Sequence, residues 1–151
     1  MTTNAPLWIE QTTTVDVEQG DRFAPKFDAH GLIPAIVTDR GNRQILMVAW
    51  MNADALALTV TSGYVHFWSR SRGKIWLKGE ESGNRLMVRA ARTDCDQDVL
   101  QFEVDVEGAG VACHTGARSC FYREIELGDV RPGRETQPSQ TAAFPLRLVR
   151  R

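Results

Sequence analysis

The sequence predicts a strand-dominated α+β fold in a single domain, with a compact two-sheet core and one main helix. Most hydrophobic segments are short and either alternate with polar residues or run continuously, which is typical of strands. Only residues 53–62 have the apolar spacing of a helix, and the chain contains no internal repeat. Its 151 residues are the length of one ordinary domain.

The first elements form a predicted hairpin behind a polar N-terminal extension. Residues 1–26 are non-periodic, and we expect them to pack loosely. Residues 32–38 and 44–51 are apolar runs on either side of a polar turn, which predicts two antiparallel strands. Pro34 indicates an edge strand or the start of a strand, because proline cannot donate to a sheet ladder.

The main helix has recognisable ends. Asn52 is a favourable N-cap and Gly63 a favourable C-cap, so the helix is predicted over residues 53–62. Its buried face is predicted to hold Leu56, Ala57 and Val60.

Further strands complete the predicted domain, which spans residues 27–126. They are expected at residues 64–68, 74–78, 86–93 and 99–106. Residues 127–151 are rich in Gly, Pro, Gln, Ser and Thr and are predicted to form a polar, mobile tail.

The composition excludes several classes of protein. Eighteen basic and nineteen acidic residues give a net charge of −1, so no global field attracts nucleic acid. The longest apolar run, Ile45–Met51, is too short to span a bilayer, and residues 1–10 do not resemble a signal peptide. We expect a cytoplasmic protein without a nucleic-acid or membrane partner, in which three reduced cysteines serve as ligands or nucleophiles.

The cysteines and a group of aspartates point to metal chemistry. Cys95, Cys113 and Cys120 offer thiolates, which suit zinc, while Asp94, Asp96 and Asp98 offer carboxylates, which suit magnesium. Three thiolates leave one position of a tetrahedral zinc open, as in catalytic sites. In a strand the three aspartates would project from one face and Cys95 from the other, although one ion needs a bend to gather them.

Other interpretations of these residues are weaker. A calcium loop of the EF-hand type fails, because Val99 stands where that loop needs glycine and Asp105 where it needs glutamate. The aspartates alone would suit a solvated acidic turn, and scattered cysteines are often small buried apolar residues. The polar surroundings of Cys113 and Cys120 favour ligands, and His114, next to Cys113, is placed to transfer protons.

Six segments together resemble the phosphoribosyl-AMP cyclohydrolase family. They are LIPAIV at residues 32–37, ILMVAWMN at 45–52, VHFWSRSR at 65–72, WLKGEESG at 76–83, DCDQD at 94–98 and CHTGARSCFY at 113–122. The resemblance runs from about residue 27 to residue 123, with the segments in the order of the family. It departs after Gly83, where the family usually has His and then Gln, and this chain has Asn84, Arg85 and Leu86.

The resemblance implies a reaction and two metals. Members of this family add water across N1–C6 of the adenine ring of phosphoribosyl-AMP, a step of histidine biosynthesis. It implies zinc held by Cys95, Cys113 and Cys120, magnesium held by Asp94, Asp96 and Asp98, and proton transfer by His114. It also implies an intertwined homodimer, in which Cys95 and the other two cysteines of each zinc site come from different subunits.

Substrate contacts are predicted in the same segments. The basic turn that follows Trp68 suits phosphate oxygens, and Trp68 or Trp76 can stack on the base. The predicted substrate-binding residues are Trp68, Ser69, Arg70, Arg72, Lys78, Glu80, Ser82, Thr115 and Arg118. Two alternatives stay open: a zinc hydrolase acting on another nucleotide, and a non-catalytic dimerisation module closed by zinc.

Overall fold

The computed structural model describes residues 5–128, 132–133 and 145–150. The chain forms two compact units, Met1–Cys120 and Phe121–Arg151. The elements within the described residues are β1 (Ile33–Asp39), β2 (Ile45–Met51), α1 (Ala53–Ser62), β3 (His66–Ser69), β4 (Lys74–Leu77), β5 (Leu86–Thr93), β6 (Leu100–Val106), β7 (Arg123–Glu126) and β8 (Arg147–Arg150). The strand-dominated α+β prediction is confirmed.

A four-stranded sheet in the order β2-β1-β6-β5 forms the first layer of the larger unit. The hairpin of β1 and β2 is confirmed, and β6 runs parallel to β1 on its other side. The edge-strand interpretation of Pro34 is therefore wrong, since β1 lies inside the sheet. Pro34 is the second residue of β1, and pairing with β6 begins at Ala35, so the alternative of a strand start is confirmed.

The helix has the predicted bounds but a different buried face. The Asn52 side chain accepts a hydrogen bond from the Ala55 N–H at 2.8 Å, and Gly63 adopts a left-handed φ of 78°. Ala55, Leu56 and Thr59 are buried, whereas Val60 is 45% exposed, so the predicted face is wrong at Val60. No helix among the described residues has the length and apolarity needed to cross a bilayer.

A second, two-stranded sheet of β3 and β4 completes the predicted two-sheet core. Phe67 of β3 is fully buried and contacts Trp76 of β4, with ring centroids 5.2 Å apart. Phe102 of β6 is also buried, and each such side chain stabilises the fold by about 1.5–3 kcal/mol.

The N-terminal extension packs more tightly than predicted. Trp8, Phe23 and Phe27 lie against the core, and the ring centroids of Phe23 and Phe27 are each 6.2 Å from that of Trp8. Ala24 is fully buried. The expectation of loose packing is therefore wrong around Trp8 and for residues 23–26, whereas most of residues 10–22 are exposed.

The smaller unit contains a strand within the predicted tail. β7 pairs with β8 in antiparallel register, from Arg123 opposite Arg150 to Glu126 opposite Arg147. The prediction of a polar, mobile tail over residues 127–151 did not include β8, and most of the remaining tail lies outside the described residues.

Candidate active site

Two of the three cysteines share one cavity. Cys113 and Cys120 border a cavity of about 590 Å³ together with Lys78 and His114. Its other lining residues include Met47, Arg72, Trp76, Glu80, Ser82 and Asn84. The cavity therefore combines thiols, an imidazole and cationic side chains.

Backbone hydrogen bonds fold the loop that carries both thiols. The Gly116 N–H donates to the Cys113 carbonyl at 3.0 Å, and the Cys113 N–H donates to the Ala117 carbonyl at 3.1 Å. Gly116 has a φ of 88°, a left-handed value that favours glycine. The Cys120 N–H donates to the Leu46 carbonyl at 2.7 Å, which ties the far end of the loop to β2.

The surroundings of the two thiols shift their pKa values in opposite directions. Burial raises the pKa of Cys113, but the Thr115 hydroxyl and N–H, the Cys120 thiol and the Lys78 ammonium outweigh it, so that pKa is lowered. The Thr115 hydroxyl donates to the Cys113 Sγ at 3.0 Å. Burial and the neighbouring Cys113 raise the pKa of Cys120. One thiolate of the pair is thus favoured, as a metal ligand requires.

The three aspartates meet in a turn rather than along a strand. Residues 94–98, which we name the carboxylate turn, link β5 to β6, so the predicted alternation of faces is wrong and the required bend is present. One oxygen from each of Asp94, Asp96 and Asp98 lies within 4.8 Å of the other two. Asp94 Oδ1 accepts hydrogen bonds from the N–H groups of Asp98 and Val99, both at 3.0 Å.

The carboxylates differ in how easily they ionise. Burial would raise the pKa of Asp94, but the N–H of Val99 and further hydrogen bonds lower it overall. Burial and the neighbouring Asp94 and Asp96 raise the pKa of Asp98. None of the ion pairs within the described residues includes these three carboxylates.

Cys95 lies apart from the other thiols. It is exposed in the carboxylate turn and borders a different depression, together with Arg22 and Thr93. Among the residues that the structure describes, the aspartates are the only three His, Cys, Asp or Glu side chains whose ligand atoms converge. One copy of the chain therefore brings together two thiols but not three.

The predicted substrate-binding residues divide into groups. Arg72, Lys78, Glu80 and Ser82 border the thiol cavity, and Lys78 Nζ lies 5.6 Å from the Trp76 ring centroid. Trp68, Ser69 and Arg70 border a neighbouring depression, which Arg72 and Trp76 also line.

Three of the predicted substrate-binding residues, Arg70, Thr115 and Arg118, contact other side chains of the protein. The Arg70 guanidinium lies 5.0 Å from the Trp50 ring centroid. Arg118 forms an ion pair with Asp39 at 2.6 Å. The Thr115 hydroxyl donates its hydrogen bond to the Cys113 thiol.

Asn84 lies in the cavity wall, although it is not among the substrate-binding residues predicted from the sequence. Its Oδ1 accepts a hydrogen bond from the Ala109 N–H at 2.7 Å, and a Cβ on Gly108 would lie 2.5 Å from that oxygen. The next residue, Arg85, pairs with Glu107 at 3.1 Å, and Leu86 is buried. In the sequence, Gly83 beside Asn84 and Gly108 beside Ala109 could have indicated that these two turns approach each other closely.

The fold and the site together define a strand-dominated α+β protein with a thiol-lined cavity. A family model described as phosphoribosyl-AMP cyclohydrolase matches residues 47–122. Curated relatives of that name include those of Rhizobium leguminosarum bv. trifolii, Chelativorans sp. and Brucella anthropi. The first is 58% identical over 116 residues, covering 77% of each chain. The second is 55% identical, covering 77% of this chain and 84% of its own, and the third is 57% identical, covering 76% and 82%.

The chain therefore belongs to the phosphoribosyl-AMP cyclohydrolase family, which comprises hydrolases of the histidine pathway. The resemblance found in the sequence is confirmed.

Proposed function

We propose that this protein is a zinc-dependent phosphoribosyl-AMP cyclohydrolase that opens the adenine ring of 1-(5-phosphoribosyl)-AMP. Family membership supports the reaction, and one structural observation supports the chemistry. That observation is the pairing of Cys113 and Cys120 in a cavity that also contains His114. In the proposed hydrolysis, the oxygen of water bonds to C6, the N1–C6 bond breaks, and N1 receives a proton.

The donor set fits zinc. Two thiols near enough to share a hydrogen bond, one with a lowered pKa, match the preference of zinc for thiolates. When bound, zinc supplies the Lewis acidity that makes water nucleophilic at neutral pH.

The chain's own side chains then bind the substrate and move protons. His114 is exposed to the cavity and is proposed to take a proton from water and return one to N1. Lys78 and Arg72 carry positive charge into the same cavity, where they can hold phosphate oxygens. The cavity volume of about 590 Å³ lies within the range of small-molecule sites.

A second copy of the chain is proposed to complete the zinc site. Cys95 is the only remaining cysteine, and it lies outside the cavity of its own protomer. The edge strand β2 also exposes Ile45 and Val48 by 48% and 47%, a surface that a partner subunit can cover. We therefore propose a homodimer whose metal sites lie between subunits.

The carboxylate turn is proposed to hold magnesium. Three oxygen donors converge there, and no ion pair in the described part of the chain neutralises them. Hard carboxylate oxygens suit a hard divalent cation.

A ring-opening assay with the purified protein tests this function. Turnover of phosphoribosyl-AMP should stop after tight chelation and return on addition of zinc, and Cys120→Ser should be inactive. A protein that binds zinc and dimerises without turning over this or any related nucleotide would be a dimerisation module. Turnover of only a different nucleotide would indicate another zinc hydrolase.

A further inference from the structure

The N-terminal segment, residues 5–28, holds the backbone of the carboxylate turn. Gln11 Nε2 donates to the Asp96 carbonyl at 3.1 Å and to the Ala24 carbonyl at 2.8 Å. The Lys26 N–H donates to the Gln97 carbonyl at 2.7 Å. Two consecutive peptide units of the turn are therefore fixed by the same segment.

The side chain of Gln97 points into that segment. It is 5% exposed, and its Oε1 accepts a hydrogen bond from the Ala24 N–H at 2.7 Å. Its Nε2 donates to the carbonyls of Val17 at 3.0 Å and Arg22 at 3.3 Å. The buried amide is satisfied on both sides, so its removal would leave the buried Ala24 N–H without this partner.

The backbone of Gln97 shows why these bonds matter. Its φ of 60° is left-handed, a strained conformation that residues other than glycine rarely adopt. Gln97 stands between Asp96 and Asp98, so this conformation helps to set where their carboxylates project. The hydrogen bonds to the N-terminal segment offset the cost.

The N-terminal segment is itself anchored beside the core near both of its ends. Ala24 is fully buried, and Trp8 packs against Phe23 and Phe27 beside the core. The Ile9 N–H donates to the Phe23 carbonyl at 3.0 Å, which joins the two halves of the segment.

We infer that Gln97 is a positioning residue, which locks the carboxylate turn against the N-terminal segment in the geometry that binds a divalent cation. This inference rests on the magnesium site of the proposed function. Gln97 is not itself a ligand, because its amide is occupied by Val17, Arg22 and Ala24. Loss of a residue that supports metal ligands typically weakens metal binding by about 10–100-fold.

Binding of Mn²⁺, a spectroscopic substitute for Mg²⁺, tests the inference on the full-length protein by electron paramagnetic resonance. Gln97→Gly keeps the left-handed backbone, and Gln97→Met keeps the side-chain size; both remove the amide. Each should weaken Mn²⁺ binding by about 10–100-fold. Gln101→Ala is the matched control, since Gln101 bonds to Thr38 on the sheet and not to the turn. Its Mn²⁺ affinity should equal that of the wild type.

The outcomes separate this inference from the proposed site. If wild-type protein binds Mn²⁺ and Asp96→Asn does not, affinity within threefold of wild type in either Gln97 variant would overturn the positioning role. If Asp96→Asn binds as well as wild type, or wild type does not bind, the carboxylate-turn site itself is wrong and the inference falls with it. Should the Gln97 variants not fold, Gln11→Ala removes the hydrogen bonds to the Asp96 and Ala24 carbonyls without touching the Gln97 side chain. Unchanged Mn²⁺ affinity there would overturn the support of the turn by the N-terminal segment, on which the inference depends.

Discussion

Thr115→Val should weaken zinc binding, because it removes the hydroxyl that donates to the Cys113 Sγ at 3.0 Å. The thiol is buried, and this hydroxyl is among the groups that lower its pKa against the effect of burial. A hydrogen bond to a charged group contributes about 1.5–3 kcal/mol. Thr115 is itself exposed, so water competes and the lower end of that range applies. About 1.5 kcal/mol corresponds to a roughly tenfold loss of affinity.

Competition with a chromophoric chelator measures this loss directly. Thr115→Ser keeps the hydroxyl and should bind zinc nearly as tightly as the wild type. Thr61→Val is a second control, because its hydroxyl bonds only within α1. Zinc affinity of Thr115→Val within threefold of wild type would refute the contribution of this hydrogen bond.

Two further predictions concern pH and substrate binding. Burial raises the pKa of Asp39, but N–H donors of Asn42 and Gly41 and the Arg118 guanidinium lower it overall. A lowered folded-state pKa stabilises the fold above the unfolded value near 3.9, and this stabilisation is lost as pH falls through the folded value. The free energy of unfolding of Asp39→Asn in urea should therefore be about 1–3 kcal/mol lower than that of the wild type at pH 7. The difference should shrink in acid, and a difference that does not change with pH would contradict this prediction. Arg72→Ala should raise KM about tenfold or more, with a smaller change in kcat, because Arg72 borders the thiol cavity. Arg70→Ala should raise KM less, because Arg70 lies outside that cavity. Equal effects of the two variants on KM would contradict the placement of the substrate phosphate beside Arg72.

Local signals predicted the elements that depend on neighbouring residues. Asn52 and Gly63 act through bonds and backbone angles within one helical turn, so the bounds of α1 follow from the sequence. The buried face of α1 was harder, because Thr59 is buried through its hydroxyl bonds to Ala55 and His66 rather than through apolar character. Pattern rules based on hydrophobicity miss such a residue.

Contacts between distant segments could not be predicted in the same way. The parallel pairing of β1 with β6 joins residues more than sixty positions apart, and no local pattern specifies it. The support of Gln97 by residues 5–28 is equally distant, and it involves an extension whose polar composition suggested loose packing. The thiols and carboxylates can be proposed as ligands from their residue types alone, but their separation into a cavity and a turn depends on the fold.

Each zinc site is proposed to be built from two subunits, and subunit complementation tests this proposal most directly. Cys95→Ser and Cys113→Ser should each be inactive. When they are mixed and allowed to exchange subunits, the heterodimer contains one site with all three cysteines and one site that lacks two. Unbiased exchange gives about half heterodimer, so activity should return to roughly a quarter of the wild-type value. Confirmed exchange with no recovery of activity would contradict the shared site.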